Sequence, residues 1–556
     1  MDWPNHTHTR RVISILKASD IFRKRVPLQH KSGARIPSAF ANFEGVQLKF
    51  PSSSPFAAKF IVGSMHESNV DLMTRFILIT CLWTVAAGIA SSQTLKVVPG
   101  RVLVDETAVI RAEGLAPNEH VSIRAELVDG ANQPWSSEAE FLADPGGAVD
   151  TSKQAPVKGS YSGVSAMGLV WSMKPKAKHV PSYDPPRDLG AQVIEFQLFR
   201  SGKQVAIAQL EQLSIADGVR RITIDGQLHG VLLLPNSTGP HPGVLVVGGS
   251  EGGMPLRKAA WLASRGYAAL ALAYFRYDDL PPLLEVIPLE YFSSGLAWMM
   301  QRPEISGDRV AVVGTSRSGE LALQLGSMFP EIKAVVAYVP ANVRYAACCG
   351  DTRVPYAWTW QGQPLSFGNR RALREPGASV LNGVIAVERA HGPILLIAGD
   401  DDGVWDSSGM TDAVVSRLKQ AHFSFSYERL RYAHAGHRAG RPEIVPTQHG
   451  GVRNPTSQRE ENLGGNAQGD AESSLDAIPK VLEFLRQSLG EPQSNARFRW
   501  SREGLTTHKE QTKNDAIVAS SFLRTPGCAD APCNGVPSAS VQALSLIRSN
   551  LSECKQ

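Results

Sequence analysis

VAVVGTSRSGELALQL, residues 310–325, joins a β-branched run to a helix-like run through a turn of glycine and serine. A buried strand, a tight turn and a helix in this order lift the residue at the turn above the sheet edge. In the pattern G-x-S-x-G that residue is a nucleophilic serine, which here is Ser316. Ser318 stands where the pattern has glycine, and Gly319 follows one residue later. We therefore expect Ser316 to act as nucleophile and Ser318 to be structural.

Residues 221–490 alternate apolar runs of strand length with segments of helix length. This alternation predicts a doubly wound, mostly parallel sheet with helices on both faces. Together with the turn at Ser316, it indicates an α/β-hydrolase domain. A polar stretch rich in glycine, asparagine and glutamine, 441–473, predicts a long loop before the last helix. The predicted strands are 242–249, 267–275, 309–314, 334–340 and 393–399, and the predicted helices include 256–266, 289–301 and 475–490.

Residues 93–220 have a different pattern, in which short alternating segments are separated by turn residues. In VSIRAEL (121–127) every second residue is apolar, and the turn-forming DGANQP follows. The pattern predicts an all-β, immunoglobulin-like sandwich domain before the hydrolase domain.

The positive charge lies at the two ends of the chain. The net charge of the 556 residues is +5, of which residues 1–72 carry +5 and residues 491–556 carry +2, which leaves −2 for the body. We therefore expect no nucleic-acid partner. Neither end has sustained periodicity, so 1–72 is interpreted as a non-native or disordered extension and 491–556 as a disordered tail.

The segment that begins at Met73, MTRFILITCLWTVAAGIASSQ, has one cation, a short apolar run and small residues at its end. This order predicts a cleaved signal peptide at 73–92, with Met73 as the true start and no stable membrane span after cleavage. The protein is then exported, to the periplasm or outside the cell. The alternatives are a signal anchor, a buried helix, or an organellar transit peptide in 1–72 and an intracellular or organellar protein.

Cysteine usage predicts no metal site and no disulfide framework. The six cysteines are scattered and lack metal-ligand spacing. The adjacent Cys348 and Cys349 are not expected to bond to each other. We predict no cofactor.

An acid and a histidine follow Ser316 in the chain order of α/β-hydrolases. The carboxylates 400–402 end a predicted strand, and His434 and His437 lie in a later loop. Taken singly, such residues are more often surface carboxylates and surface histidines. Their joint order favours catalysis, in which the imidazole takes the serine proton and the carboxylate fixes the imidazole tautomer.

The loop VVGGSEGGMP (246–255) follows the predicted strand from which hydrolases build part of the oxyanion hole. We expect the backbone N–H of Arg317 to form the hole with that of Ser250 or Glu251. The Glu251 carboxylate would oppose a developing oxyanion unless its side chain points away. A phosphate-binding glycine loop is disfavoured, because the segment lacks G-x-G-x-x-G and the Walker lysine.

Several segments together resemble the acyl-CoA thioesterase / bile-acid-CoA:amino-acid N-acyltransferase family, over about residues 94–490. They are GLAPNEHVSIRAEL, MGLVWSM, PGVLVVGGSEGG, GTSRSGELAL, LLIAGDDDGVW and YAHAGH. The resemblance implies a triad of Ser316, Asp402, which stands three residues before Trp405, and His437 of the Gly-His pair. Transferases of this family use cysteine as nucleophile, so the serine implies hydrolysis of fatty acyl-CoA to fatty acid and CoA.

Other functions stay open at this point. A secreted carboxylesterase or lactone hydrolase uses the same triad on oxygen esters. An amino-acid N-acyltransferase and a non-catalytic binding protein on the same scaffold are further alternatives. The partner is a small-molecule thioester or ester, and the oligomeric state is not predicted.

Overall fold

The protein is described by a computed structural model that covers residues 93–177, 182–224, 226–368 and 383–492. The extension predicted at 1–72 and the signal peptide predicted at 73–92 lie outside the described residues. The same holds for the predicted tail, of which only residues 491 and 492 are described.

The N-terminal part is built from two sheets. One has the strand order β1-β3-β6, and the other has the order β2-β10-β9-β4-β5-β7, with β8 paired to β5. The strands are β1 (Thr94–Val98), β2 (Arg101–Leu103), β3 (Val109–Glu113), β4 (His120–Val128), β5 (Pro134–Leu142), β6 (Val149–Asp150), β7 (Lys158–Gly159), β8 (Lys174–Pro175), β9 (Gln192–Arg200) and β10 (Lys203–Leu213).

Alternation along these strands produces one shared core. In β4 the residues Val121, Ile123, Ala125 and Leu127 are buried and their neighbours are not, as their period of two predicts. They pack in one hydrophobic cluster with residues of β1 and β3. The cluster also contains residues 444, 445, 471 and 478 of the C-terminal part, so the two parts share a core.

The C-terminal part is arranged around one eight-stranded sheet with the order β11-β12-β14-β13-β16-β17-β20-β21. From β14 onward the pairs are parallel, and β11 and β12 are antiparallel additions at one edge. Outside this sheet, β15, β18 and β19 form a three-stranded sheet, and β22 pairs with β23. The strands of the C-terminal part are β11 (Arg220–Thr223), β12 (His229–Leu234), β13 (His241–Val247), β14 (Ala268–Ala273), β15 (Ile287–Pro288), β16 (Ile305–Thr315), β17 (Ile332–Tyr338), β18 (Trp358–Trp360), β19 (Gln363–Pro364), β20 (Ile394–Gly399), β21 (Tyr427–Tyr432), β22 (Val452–Arg453) and β23 (Glu460–Glu461).

Helices cover both faces of this sheet. The longer ones are α2–α6, where α3, α4 and α5 share a core on one face, and α2 and α6 share another on the opposite face. Strands between two layers are buried on both faces, and every residue of β13 and β20 is buried. The α/β-hydrolase prediction is thus confirmed. The helices are α1 (Gly168–Trp171), α2 (Leu256–Ser264), α3 (Glu290–Met300), α4 (Arg317–Met328), α5 (Ser407–Gln420) and α6 (Ala467–Leu489).

The last helix begins earlier than predicted. Residues 467–473 belong to α6, whereas the sequence predicts a loop up to residue 473. Asn466 caps the helix by accepting a hydrogen bond from Gly469 N at 2.8 Å. Ser473 and Ser474 are buried and donate to the Asp470 carbonyl, so small polar residues line the inner face of the first turns. Their polarity is what disguises the helix in the sequence.

Among the described residues, no helix has the length and apolarity needed to cross a bilayer.

Cys348 and Cys349 form a disulfide, so the prediction that they stay unbonded is wrong. The chain turns at Cys349, whose φ of 79° lies in the left-handed region.

Candidate active site

The turn between β16 and α4 holds Ser316 in a strained conformation. Ser316 has φ 61° and ψ −121°, values that a residue with a side chain rarely adopts. Its N–H donates to Tyr338 O at 2.9 Å, and its carbonyl accepts from Glu320 N at 3.1 Å. The surrounding hydrogen bonds therefore hold the strained turn, and the serine is raised at the carboxyl edge of the sheet.

Position 318 tolerates serine because the close approaches in the turn fall on other residues. A Cβ on Gly314 would lie 1.9 Å from Ser318 O, and one on Gly319 would lie 2.8 Å from Tyr338 O. The Ser318 hydroxyl accepts from Thr315 N at 2.7 Å and donates to Thr315 O at 2.9 Å. Ser318 is fully buried and closes the turn, as its predicted structural role requires.

The acid stands in the loop between β20 and α5. Asp402 Oδ1 accepts from Val404 N at 2.9 Å and from Trp405 N at 3.2 Å, so the backbone of its own loop fixes the carboxylate. Its side chain is 1% exposed. These backbone donors hold the carboxylate in one orientation.

His437 joins this carboxylate to the serine. Its Nδ1 lies 2.9 and 2.8 Å from the two carboxylate oxygens of Asp402, and its Nε2 lies 2.8 Å from Ser316 Oγ. The structure thus brings the three predicted residues together in one hydrogen-bonded row. A neutral imidazole with its proton on Nδ1 can accept the serine proton at Nε2.

The neighbouring acids and histidine are used elsewhere. Asp400 accepts from Arg431 Nε at 2.5 Å and from Ser408 Oγ at 2.7 Å. Asp401 lies 3.4 Å from His434, and both of these side chains are exposed. Neither Asp400 nor His434 contacts Ser316, so the choice of Asp402 and His437 agrees with the geometry.

Trp405 and Tyr345 form an aromatic wall beside His437 that the sequence did not predict. The Trp405 ring meets the imidazole edge-on, with 5.2 Å between centroids and an interplanar angle of 81°. Its indole N–H donates to Val339 O at 3.1 Å, and the Tyr345 ring stacks on the Trp405 ring with 5.2 Å between centroids. Trp405 therefore restrains the His437 ring as well as the Asp402 carboxylate. In the sequence, the position of Trp405 three residues after Asp402 helps to identify the acid, but it does not predict the contact between Trp405 and His437.

The predicted oxyanion loop lies against the elbow. A Cβ on Gly249 would be 3.0 Å from Thr315 O. Glu251 turns its carboxylate back and accepts from Gly249 N at 3.1 Å. The Glu251 carbonyl accepts from Arg276 and from Thr456, each at 3.0 Å, so the loop is fixed from two sides.

The positions predicted for the oxyanion hole are the N–H groups of Ser250, Glu251 and Arg317. None of these three has a hydrogen-bond partner within the described part of the chain. The Ser250 side chain is engaged separately, by Asn454 Nδ2 at 3.0 Å. The arrangement leaves backbone donors available for a developing negative charge.

The side chain of Arg317 anchors the segment that follows β17. It donates to Tyr345 O at 3.2 Å and to Ala346 O at 3.1 Å, and it faces the buried Glu320 carboxylate at 3.4 Å. Trp358 donates to the same carboxylate at 2.8 Å. Burial raises the pKa of Glu320, against the opposing effect of Arg317. Arg317 thus ties the segment that carries Tyr345 to α4.

Lys258, near the start of α2, lies behind the elbow. Its ammonium donates to the Thr315 hydroxyl and lies 4.4 Å from the centre of the Tyr338 ring. Burial lowers the pKa of Lys258 from 10.5 to about 8, while the Glu251 carboxylate acts in the opposite direction. Nothing in the sequence distinguishes this lysine from a surface residue.

The doubly wound sheet, the elbow and the Ser-His-Asp row define the class as an α/β-hydrolase with a serine-centred site. Two family models match the chain. They are described as "Acyl-CoA thioester hydrolase/BAAT N-terminal region", over residues 105–226, and "BAAT / Acyl-CoA thioester hydrolase C terminal", over 287–491. The chain belongs to the acyl-CoA thioester hydrolase/BAAT family, which confirms the resemblance predicted from sequence and the prediction of an enzyme.

Curated relatives cover most of the chain. Mouse acyl-coenzyme A thioesterase 2, mitochondrial, is 30% identical over 416 residues, which is 72% of this chain and 90% of that protein. Mouse peroxisomal succinyl-coenzyme A thioesterase is 29% identical over 427 residues, which is 73% of this chain and 99% of that protein. Human acyl-coenzyme A thioesterase 1 is 30% identical over 411 residues, 70% of this chain and 95% of that protein.

Solved structures resemble the chain more distantly. An esterase from Pyrococcus furiosus is 15% identical with a TM-score of 0.29, and the match covers 49% of this chain and 91% of that one. An acylaminoacyl peptidase from Pyrococcus horikoshii is 12% identical with a TM-score of 0.32, over 71% of this chain and 61% of that one.

Proposed function

We propose that the protein hydrolyses acyl-CoA thioesters to a free carboxylic acid and CoA through an acyl-Ser316 intermediate. One observation carries the proposal. His437 lies between Ser316 Oγ and the Asp402 carboxylate, with contacts of 2.8 Å to each. A serine in this arrangement has a base for its proton, and the base has a carboxylate to hold its tautomer.

In acylation, Ser316 Oγ attacks the thioester carbonyl while His437 Nε2 takes the hydroxyl proton. Asp402 stabilises the imidazolium without itself taking the proton. The tetrahedral intermediate collapses with cleavage of the C–S bond. The thiolate of CoA leaves as thiol when His437 returns the proton.

In deacylation, water replaces CoA at the acyl-serine. His437 takes a proton from this water, which attacks the ester carbonyl, and then returns the proton to Ser316 Oγ as the carboxylic acid leaves. An acyl-cysteine thioester reacts with amines much faster than an oxygen ester does. The acyl-Ser316 oxygen ester therefore favours hydrolysis by water over N-acyltransfer.

The tetrahedral oxyanion in both steps needs backbone donors. We assign this role to the N–H of Arg317 and to that of Ser250 or Glu251, which have no other acceptor among the described residues. The folded-back carboxylate of Glu251 reduces the conflict between its charge and the oxyanion. Removal of one donor of this kind typically costs about 10²- to 10³-fold in turnover.

We also propose that the N-terminal sheets form an immunoglobulin-like sandwich domain, residues 93–220. The catalytic domain, residues 221–490, follows it. Two facing sheets with a common apolar core support this assignment. The buried Asp105, in the N-terminal part, accepts from Trp261 Nε1 and Arg265 Nε of α2 or its end, each at 2.7 Å. Such contacts fix the sandwich against the catalytic domain.

The acyl group and the compartment are proposed from the relatives. Their names describe acyl-CoA and succinyl-CoA thioesterases, and we propose fatty acyl-CoA as the substrate class. The names also include "mitochondrial" and "peroxisomal", which supports the intracellular or organellar alternative over export. The N-terminal peptide of the mature native protein tests this, because a start at residue 93 indicates signal cleavage and export.

The experiment measures free-thiol release from acetyl-, octanoyl- and palmitoyl-CoA by the full chain, beside hydrolysis of p-nitrophenyl esters. Ser316→Ala is expected to abolish thiol release, and Ser318→Ala, two residues away, is the matched control and should retain it. Ester cleavage without thiol release contradicts the thioesterase proposal and favours the carboxylesterase. Thiol release that needs glycine or taurine as acceptor favours N-acyltransfer, and turnover retained in Ser316→Ala contradicts the serine mechanism.

A further inference from the structure

A second aspartate–histidine pair lies directly behind the loop that carries His437. Asp470, in the first turn of α6, accepts from Gly436 N through Oδ1 at 2.8 Å. Its Oδ2 lies 3.2 Å from Nε2 of His449. The two side chains are 1% and 7% exposed, so the pair is a buried part of the fold. Through Asp470 the pair binds the backbone N–H of Gly436, the residue before His437.

This hydrogen bond to the Gly436 amide is one of four that hold the two peptide planes before the His437 Cα. On the carbonyl side, Ala435 O accepts from Asp401 N at 3.1 Å and Gly436 O accepts from Ala439 N at 3.0 Å. The next N–H in the chain, that of His437, donates to Leu463 O at 2.7 Å. A Cβ on Gly436 would lie 2.3 Å from Gly464 O, so the backbone is tightly packed here. With both peptide planes held, the Cα–Cβ bond of His437 keeps one direction toward Ser316.

The chain around His449 also contacts the N-terminal sheets. Ile444 N donates to Val104 O at 2.7 Å, and Thr447 N donates to Trp171 O at 3.0 Å. The Thr447 hydroxyl donates to Ala467 O at 2.7 Å, at the start of α6. This segment, residues 444–449, thus runs from the N-terminal part to the helix turn that presents Asp470.

We propose that Asp470 and His449 are positioning residues that hold the His437 loop, and that segment 444–449 links this support to the N-terminal part. The inference rests on the proposed function, in which His437 is the base. An acid in the first turn of a helix also stabilises the helix dipole. That role alone affects the stability of the fold but not the turnover of folded enzyme.

The test compares Asp470→Ala, Asp470→Asn and His449→Gln in the full chain. The matched control is Asp476→Asn on the same helix, where the carboxylate pairs with Tyr432 and Lys480 and does not touch the His437 loop. kcat and KM for octanoyl-CoA, or for the better substrate among the three acyl-CoAs, are measured on the folded fraction, with the thermal midpoint beside them.

Asp470→Ala is expected to lower kcat about 10- to 100-fold with KM within about twofold, because a small misplacement of a catalytic group has effects of that size. Asp470→Asn keeps an oxygen for Gly436 N–H and should lose less, and His449→Gln should lose least. His449 acts through Asp470. The fold-loss of kcat in the double variant Asp470→Asn/His449→Gln should therefore be no larger than the product of the fold-losses in the two single variants.

Unchanged kcat in the folded fraction, with only the thermal midpoint lowered, overturns the inference. Should Asp470→Ala fail to fold, the two milder variants decide the question. Ser316→Ala in the same assay separates the two proposals. Turnover that survives in Ser316→Ala contradicts the proposed function, whereas turnover lost there but retained in all Asp470 and His449 variants contradicts only the positioning role.

Discussion

The two buried aspartate–histidine pairs are chemically alike and differ in what they reach. Both aspartate side chains are 1% exposed, and the histidines are 10% and 7% exposed. His437 extends the first pair to a serine hydroxyl, whereas Asp470 extends the second to a backbone amide. A third pair, Asp401 with His434, is exposed and ends in solvent. The comparison shows that a buried aspartate–histidine pair does not by itself indicate a catalytic site. The group that the pair contacts, a serine hydroxyl or a backbone amide, distinguishes the two.

The largest expected effect contrasts the two buried pairs directly. Asp402→Asn should lower kcat by about 10³- to 10⁴-fold, because the amide no longer holds the imidazole tautomer that accepts the serine proton. The same substitution at Asp470 should cost at most about 10-fold, since it touches only the positioning of the loop. Steady-state thiol release from one acyl-CoA measures both variants. Equal losses would show that the distinction between the pairs is wrong.

The aromatic wall sharpens the comparison, because it restrains only the first pair. Trp405→Phe removes the indole N–H that donates to Val339 O and shortens the ring beside His437. We expect kcat to fall about 10-fold through misorientation of the imidazole. Trp360→Phe is the matched control, since Trp360 packs against Phe329. A similar loss in both variants would assign the effect to general loss of packing.

A smaller effect on turnover is expected at Ser318, whose hydroxyl hydrogen-bonds to the backbone of Thr315 in the turn that carries Ser316. Ser318→Ala leaves Thr315 N without its acceptor, at a cost of about 1 to 3 kcal/mol in the free energy of unfolding. Turnover should stay within about threefold if the strained turn survives. Ser327→Ala in the same helix is the control, because Ser327 only donates to carbonyls. Urea unfolding measures the free energies, and a larger loss at Ser327 contradicts the argument.

A pH-dependent effect on stability, with none expected on turnover, concerns the lysine behind the elbow. Burial lowers the pKa of Lys258 from its ordinary value of 10.5 to about 8, so the unfolded chain binds more protons between these two pH values. Wild-type stability should therefore rise, relative to Lys258→Met, as pH goes from about 8 to about 10. Below pH 8 both states are protonated and the cost of the buried charge is constant. Urea unfolding at four pH values measures it.

Lys258→Arg provides the control for that measurement, because arginine stays charged throughout the range. The wild type should gain stability relative to this variant over the same interval. A constant difference between wild type and both variants would mean that the proton of Lys258 is retained on folding.

Much of the fold follows from local patterns in the chain. The period of two in β4 predicts its buried face, and the runs at β13, β14, β16, β17 and β20 predict a sheet covered on both sides. The start of α6 could not be predicted, because Asp470, Ser473 and Ser474 are polar yet buried. Their hydrogen bonds satisfy them inside the fold, and polarity alone cannot show that.

By itself the sequence determined the alternation of strands and helices and the elbow at Ser316, since each of these depends on residues close together in the chain. The choice of Asp402 and His437 as the predicted acid and base came from the resemblance to the family. Only the tertiary structure decided which partners meet. His437 reaches Ser316 across 121 positions, Gly436 reaches Asp470 across 34, and Trp405 reaches Val339 across 66. No local period records such pairings, because they arise when the carboxyl edges of separate strands and the start of α6 come together around one buried site.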